Sequence, residues 1–233
     1  STMLEINEYY EQAVKSSSLS VKRVGLKELE NWDFSNSGSF EHESGRFFSV
    51  NSVTYNGHKS LILNQPEIGV LATFMTILNG ISYFLIQLKE EPGNINKVQL
   101  SPTIQATKSN YSKVHGGNLP NYWEEYLNFS DKTSIISSNL PEQGTRYWKK
   151  FNSNEIILTP MFEEDKNFKW LTLGQILELR KNSNSINSCL RRNLSLMYEF
   201  ICENTKDLII FVFDVPRHDR CDPSSFDCSQ NYL

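Results

Sequence analysis

The chain has too little positive charge to be read as a nucleic-acid binder. Lys and Arg number 23 against 27 Asp and Glu, a formal charge of −4 with a pI near 5.7, whereas such proteins display a basic face. Cysteine is also scarce. Four in 233 residues, none in a close Cys-x-x-Cys pair, exclude a disulfide scaffold. With 11 Gly and 8 Pro against 39% hydrophobic residues, the chain is neither collagen-like nor disordered. Its length suffices to bury a self-standing core. The strings Gly-x-Ser-x-Gly, Gly-x-Gly-x-x-Gly, His-Glu-x-x-His and the P-loop are missing, which removes the common acyl, nicotinamide, zinc-protease and phosphoryl readings. Ser1-Thr2-Met3 carries no basic or apolar leader, and Met3 is read as the native start. These absences lead to the expectation of a soluble, cytoplasmic protein with one domain over residues 1–215 and a polar tail over 216–233.

The long uncharged run is the exception. Gly69 to Leu88 spans twenty residues, enough on length alone to cross a bilayer. Asn79-Gly80 interrupts it between two apolar, β-branched and aromatic segments, the strongest short-range hairpin signal. Asn56-Gly57 repeats the signal between Arg46–Tyr55 and His58–Asn64. Residues 46–88 therefore read as four consecutive strands turning at Gln65-Pro66-Glu67, with no membrane helix. Ile6–Val14 and Leu26–Trp32 have short amphipathic helical spacing. Thr172 and Gln175 form a capping-box pattern ahead of Leu173, Ile176 and Leu177. Ile186, Leu190, Leu194, Met197 and Ile201 continue a helix to about Asn204. Leu208–Phe213 is a short apolar strand. Clustered antiparallel strands with helices on both sides give an α+β class, a sheet covered by helices.

Chemistry-bearing residues concentrate between Gln87 and Gly117, where apolar residues thin out. Such a stretch is either an exposed loop or the lining of a polar pocket. His115, before two glycines, is either a helix-end residue or a general acid or base. Glu91 beside Pro92-Gly93 has a plain reading as a turn carboxylate. His42 reads equally as a loop residue entering a strand, and Arg46 as the partner of a surface carboxylate. His218, Cys221 and Cys228 lie among Asp219, Asp222 and Asp227 without a zinc spacing. Cys189 and Cys202 fit small core positions on the long helix.

Several strings then stand together: His42-x-Ser44-Gly45-Arg46-Phe47-Phe48, Gln65-Pro66-Glu67-Ile68-Gly69, Gln87-x-Lys89-x-Glu91-Pro92-Gly93-Asn94, Gln99 through Tyr111, His115-x-Gly117, and Trp170 through Gln175. Over about Trp32 to Gln175 the chain resembles the NDP-hexose 2,3-dehydratase family. The resemblance implies a Nudix-like mixed or antiparallel sheet flanked by helices, without Nudix hydrolase chemistry. It also implies loss of water across C2 and C3 of a nucleotide-linked 4-keto-6-deoxyhexose, typically dTDP-linked, in deoxysugar biosynthesis, with no cofactor and no metal. Family members are about twice as long with two copies of the unit, so a homodimer mimicking that pair is expected. Lys108 stands where the family commonly has Arg. The Tyr147–Phe151 region and the helix after Ser185 also depart from the pattern.

That chemistry needs a base over C3, donors for the developing C4 oxyanion, and an acid for the C2 hydroxyl. His115, Tyr111 and Glu91 are the base or acid candidates. Asn110, Gln99 and Ser109 are candidate donors to sugar oxygens, supported by Thr103, Thr107 and Lys89. Arg46 and Lys108 are candidates for the diphosphate, Trp170 and Trp148 for a nucleobase shelf, and His42 completes the substrate-binding set. A catalytically silent nucleotide-sugar-binding partner, and a related lyase or isomerase on another substrate, remain as alternatives. As a hypothesis from the polarity of this stretch, His115→Gln lowers turnover about 10²-fold or more; near wild-type turnover in that variant removes His115 from the mechanism.

Overall fold

Both Asn-Gly pairs turn the chain as their chemistry requires. Asn56 and Gly57 have φ of 48° and 81°, and Asn79 and Gly80 of 52° and 78°, the left-handed region that a type I′ turn needs at both central positions. The computed structural model describes residues 2–107 and 119–203, and the hairpins are its two organising elements. The first joins β3 (Ser49–Tyr55) to β4 (His58–Asn64); the second joins β5 (Gly69–Leu78) to β6 (Ile81–Glu90). Arg46–Phe48, expected at the start of β3, lies outside the strand. Among the described residues no helix is long and apolar enough to cross a membrane.

The four strands do not form one sheet. β3 and β4 complete an antiparallel meander with β1 (Trp32–Phe34) and β2 (Phe40–His42), in the order β1-β2-β3-β4. β5 and β6 belong to a larger sheet ordered β11-β6-β5-β10-β9, with β9 Ser134–Pro141, β10 Phe151–Leu158 and β11 Phe168–Thr172. β7 (Val98–Ser101) pairs with β6, and β8 (Ile104–Ala106) with β5. Burial explains the division. Gly69 through Thr76 is buried without interruption, as suits a central strand covered on both faces, whereas the meander exposes Phe34, Phe47, Phe48 and Leu61. β10 runs parallel to β5, pairing Asn152 with Gly69 through Leu158 with Met75; among the described residues the other strand-to-strand pairings are antiparallel. The Leu63–Tyr147 bridge ties the two sheets' segments together.

Helices cover the large sheet. α1 (Met3–Ser16) is capped by Thr2, whose side chain accepts from the Glu5 amide, and buries Ile6 and Tyr10 on successive turns. α2 (Trp123–Thr133) packs Trp123 against the opposite core with Phe74, Ile104 and Trp170. α3 (Leu173–Leu179) begins at the expected capping box: Thr172 Oγ1 accepts from Gln175 N at 3.2 Å, and Gln175 Oε1 from Thr172 N at 2.9 Å. α4 (Ser188–Glu203) is the expected long helix. The expected helix at Leu26–Trp32 shortens to one 3₁₀ turn over Leu26–Glu28, after which Trp32 enters β1. Leu26 and Leu29 are exposed, so no packed face stabilises a longer helix there. The expected strand Leu208–Phe213 and the polar tail lie outside the described residues. The mixed sheet flanked by helices is α+β.

β5 and β6 pair only from Phe74–Leu85 to the turn. Beyond that point they part, β5 taking β8 and β6 taking β7. Thr103, between β7 and β8, occupies the fork. Its hydroxyl accepts from the Phe74 amide at 2.9 Å and donates to the Leu85 carbonyl at 2.5 Å, replacing the next rung of the ladder. Thr103→Val keeps the shape but leaves both buried backbone groups unpaired, so it is expected to cost about 1–3 kcal/mol, with Thr103→Ser milder. Urea unfolding checks this, and a Val variant as stable as the wild type would contradict it.

Candidate active site

Where β5 and β6 part, a cleft opens between the two halves of the chain. Its volume is about 230 Å³, and its lining includes Gln65, Gly69, Lys89, Glu91, Gln105, Thr107, Glu142, Tyr147, Lys150, Asn152 and Cys189. Most complete ligand pockets are larger, about 300–1,000 Å³, so the cleft suits a small polar group.

One wall is built on β6 and β8. Lys89 Nζ donates to the Gln105 carbonyl at 3.1 Å; burial pushes its pKa down, opposed by the Glu91 charge. Gln105 Nε2 donates to Glu91 Oε1 at 2.8 Å. Gln105 Oε1 accepts from Ser101 Oγ at 2.9 Å and from Asn187 Nδ2 at 2.8 Å. Glu91 follows β6 directly, and its backbone carbonyl accepts from the Asn94 amide at 3.0 Å in the Pro92-Gly93 turn.

The other wall comes from the second half. Arg192 on α4 grips Glu142 through two parallel bonds, at 2.5 and 2.6 Å. The Arg192 guanidinium holds the Glu142 carboxyl below the usual carboxylate range, against the opposing effect of burial. Asn152 Nδ2 also donates to Glu142 Oε1, at 2.7 Å, while its Oδ1 accepts from the Gly69 amide at 3.0 Å. A Cβ at position 69 would lie 2.7 Å from Asn152 Oδ1 and 3.4 Å from the Ala106 carbonyl, so a side chain there would displace Asn152 from the Gly69 amide. Lys150 is buried and donates to the Glu67 carbonyl; desolvation lowers its pKa. Burial pushes the Cys189 thiol up, with Arg192 opposing, which disfavours the thiolate a nucleophile would need.

The residues singled out from the sequence divide three ways. Lys89, Glu91 and Thr107 meet in the cleft. Thr103 sits in the fork, Gln99 Nε2 donates to the Asn184 carbonyl at 2.9 Å, and Trp170 lies in the core with its indole N–H on the Phe162 carbonyl at 3.0 Å. A buried indole so engaged offers no shelf to a nucleobase. His42 belongs to the meander, its Nδ1 2.8 Å from Ser44 Oγ and its ring 4.6 Å from that of Phe47. Arg46 is exposed in the turn before β3. Trp148 is exposed next to Tyr147 and borders a separate hollow with Asn51, Val53, Ile62 and Asn64. His115, Tyr111, Lys108, Ser109 and Asn110, like the tail residues His218, Cys221 and Cys228, lie outside the described residues. Among the described residues no three His, Cys, Asp or Glu side chains gather to hold a metal.

The Gln87–Asn94 and Gln99–Thr107 stretches supply Thr103 of the fork and Lys89, Glu91, Gln105 and Thr107 of the cleft. The NDP-hexose 2,3-dehydratase family matches residues 3–197. The chain belongs to this family. Two relatives named dTDP-4-dehydro-6-deoxy-alpha-D-glucopyranose 2,3-dehydratase illustrate the match. That of Amycolatopsis orientalis is 36% identical over 194 residues, covering 76% of this chain and 41% of the relative. That of Saccharopolyspora spinosa is 34% identical over 190 residues, covering 76% and 38%. The chain thus spans about two-fifths of the length of the curated relatives it matches. Among solved structures, a chain from the complex between the C-terminal domain of mouse MUTYH and human PCNA overlays with a TM-score of 0.34 at 8% identity. It covers 58% of this chain and 89% of that one, an overlay too loose to bear on the argument.

Gln105, which lines the cleft, is not singled out by sequence reasoning, although it stands in the most specific of the family strings. Glu142, Asn152 and Arg192 had no local signal, since they reach the cleft only through long-range pairing. The Glu142–Arg192 pair has a pH signature. The Glu142 pKa is depressed in the fold, so its contribution is present above the unfolded carboxylate value of about 4.3 and is lost as pH falls through the lower folded value. Arg192→Met is expected to cost about 2–3 kcal/mol at pH 7. It should also flatten the loss of stability between about pH 5 and 3; parallel wild-type and variant urea midpoints across that range would exclude the pair from the acid limb.

Proposed function

We propose that this chain is a nucleotide-sugar 2,3-dehydratase, a hydro-lyase acting on an NDP-4-keto-6-deoxyhexose, dTDP-linked as in the names of its relatives. The observation that carries the reading is the meeting of Lys89, Glu91, Gln105 and Thr107, all from family strings, on one cleft. The ketone at C4 acidifies the hydrogen at C3. A base over C3 takes that proton, the electrons move into an enolate at C4, and the C2 hydroxyl departs as water once protonated. Glu91 is the base candidate that faces the cleft. Tyr111 and His115 follow Thr107 by four and eight residues and complete the proposed acid and base set. Lys89 stands beside Glu91 as a cation for the developing oxyanion. Lys108 and Arg46 are the proposed diphosphate contacts, with Ser109 and Asn110 proposed as donors to sugar oxygens.

The α+β arrangement is read as Nudix-like, with residues 1–215 as one domain and 216–233 as a polar tail. The proposed working form is a cytoplasmic homodimer. The exposed Phe34, Phe47, Phe48 and Leu61 of the meander support an interface of that kind. Incubation with dTDP-4-keto-6-deoxyglucose in deuterated water tests the reaction. Loss of water from C2 and C3 is the expected result. Exchange at C3 without loss would replace the reading by an isomerase or stalled lyase, and binding without exchange by a silent sugar-binding partner.

A further inference from the structure

A chain of amides on the β8 side of the cleft has its direction fixed from one end. The Leu190 backbone N–H can only donate, and it donates to Asn187 Oδ1 at 2.9 Å, capping α4. Asn187 Nδ2 must then point away from the helix, and it meets Gln105 Oε1 at 2.8 Å. Ser101 Oγ meets the same oxygen at 2.9 Å. With Oε1 engaged by two donors, the Gln105 amide has one orientation, and its Nε2 faces Glu91 Oε1 at 2.8 Å. The cap of a helix in the second half of the chain thus decides how a carboxylate after β6 is held.

The two acidic residues of the cleft contrast in this respect. Glu142 meets a bidentate guanidinium, which stabilises its charge and removes it as a base. Glu91 meets a neutral amide through one oxygen, which orients the carboxylate without a cation bonded to it, and Lys89 is directed to the Gln105 carbonyl. The backbone on either side of Glu91 is held by β6 and the Asn94 turn, so side-chain rotation is the freedom that Gln105 removes. We propose that Gln105 is a positioning residue: it fixes Glu91 through Oε1 so that Oε2 is presented to the C3 hydrogen. The inference rests on the reading of Glu91 as the base.

Three variants in the full chain separate the possibilities, read by turnover and by C3 exchange in deuterated water. Glu91→Gln should abolish both. Gln105→Leu removes the donor and should lower kcat about 10²-fold, with KM changed less than about threefold, as expected of a misplaced reacting group. Gln105→Glu keeps the acceptor for Asn187 and Ser101, but can bond Glu91 only when the two carboxylates share a proton. That variant should therefore be active at low pH and gain a descending limb as pH rises through the pair's apparent pKa, below any descending limb of the wild type. If wild type neither exchanges nor dehydrates, the functional reading fails and takes this assignment with it. Retained activity in Glu91→Gln overturns Glu91 as base and so the positioning role. If Glu91→Gln is inactive while both Gln105 variants keep the wild-type kcat and pH profile, only the Gln105 assignment falls.

Discussion

A single hydroxyl keeps the two central strands apart. β5 and β6 leave their turn as an ordinary antiparallel pair, and without an intervening group the ladder would run on past Phe74 and Leu85. Thr103 bonds both backbone groups at that point, so the strands can separate with no buried amide or carbonyl left unpaired. β7 and β8 then enter the gap, and side chains on and just after β6 and β8, rather than a continued ladder, form one wall of the cleft. The cleft is therefore a consequence of strand divergence.

From the fork outward the wall is built of residues that hold one another. Ser101 and Asn187 set the Gln105 amide, Gln105 meets Glu91, and the Gln105 carbonyl takes Lys89. The facing wall is built in the same way, with Asn152 joining Gly69 to Glu142 and Arg192 closing on Glu142. Polar groups at this density are costly when left unpaired in low dielectric and confer one arrangement when satisfied.

The hairpins and the α3 cap were readable because their physics is local: Asn-Gly supplies positive φ, and Thr172 and Gln175 satisfy each other's backbone amides. In the polar stretch, sequence does not distinguish a hydroxyl or amide that meets a ligand from one that serves the backbone, as Thr103 and Gln99 do. Trp170 failed as a shelf because an aromatic ring gives no sign in sequence of which side it will bury. The parallel pairing of β5 with β10, the split into two sheets and the Glu142–Arg192 pair depend on segments that approach only in three dimensions. No periodicity in either segment carries that information.

The contact between Gly69 and Asn152 joins residues 83 positions apart. Each Asn-Gly hairpin closes over a few residues, on the microsecond scale of isolated hairpins, whereas closing a loop of this length is entropically dearer and slows the search. During synthesis both hairpins can therefore exist while the strand that must dock beside β5 is still unmade. The cleft is closed only once that distant strand has docked, and a nascent or nicked chain lacking it would keep its early turns without the second wall.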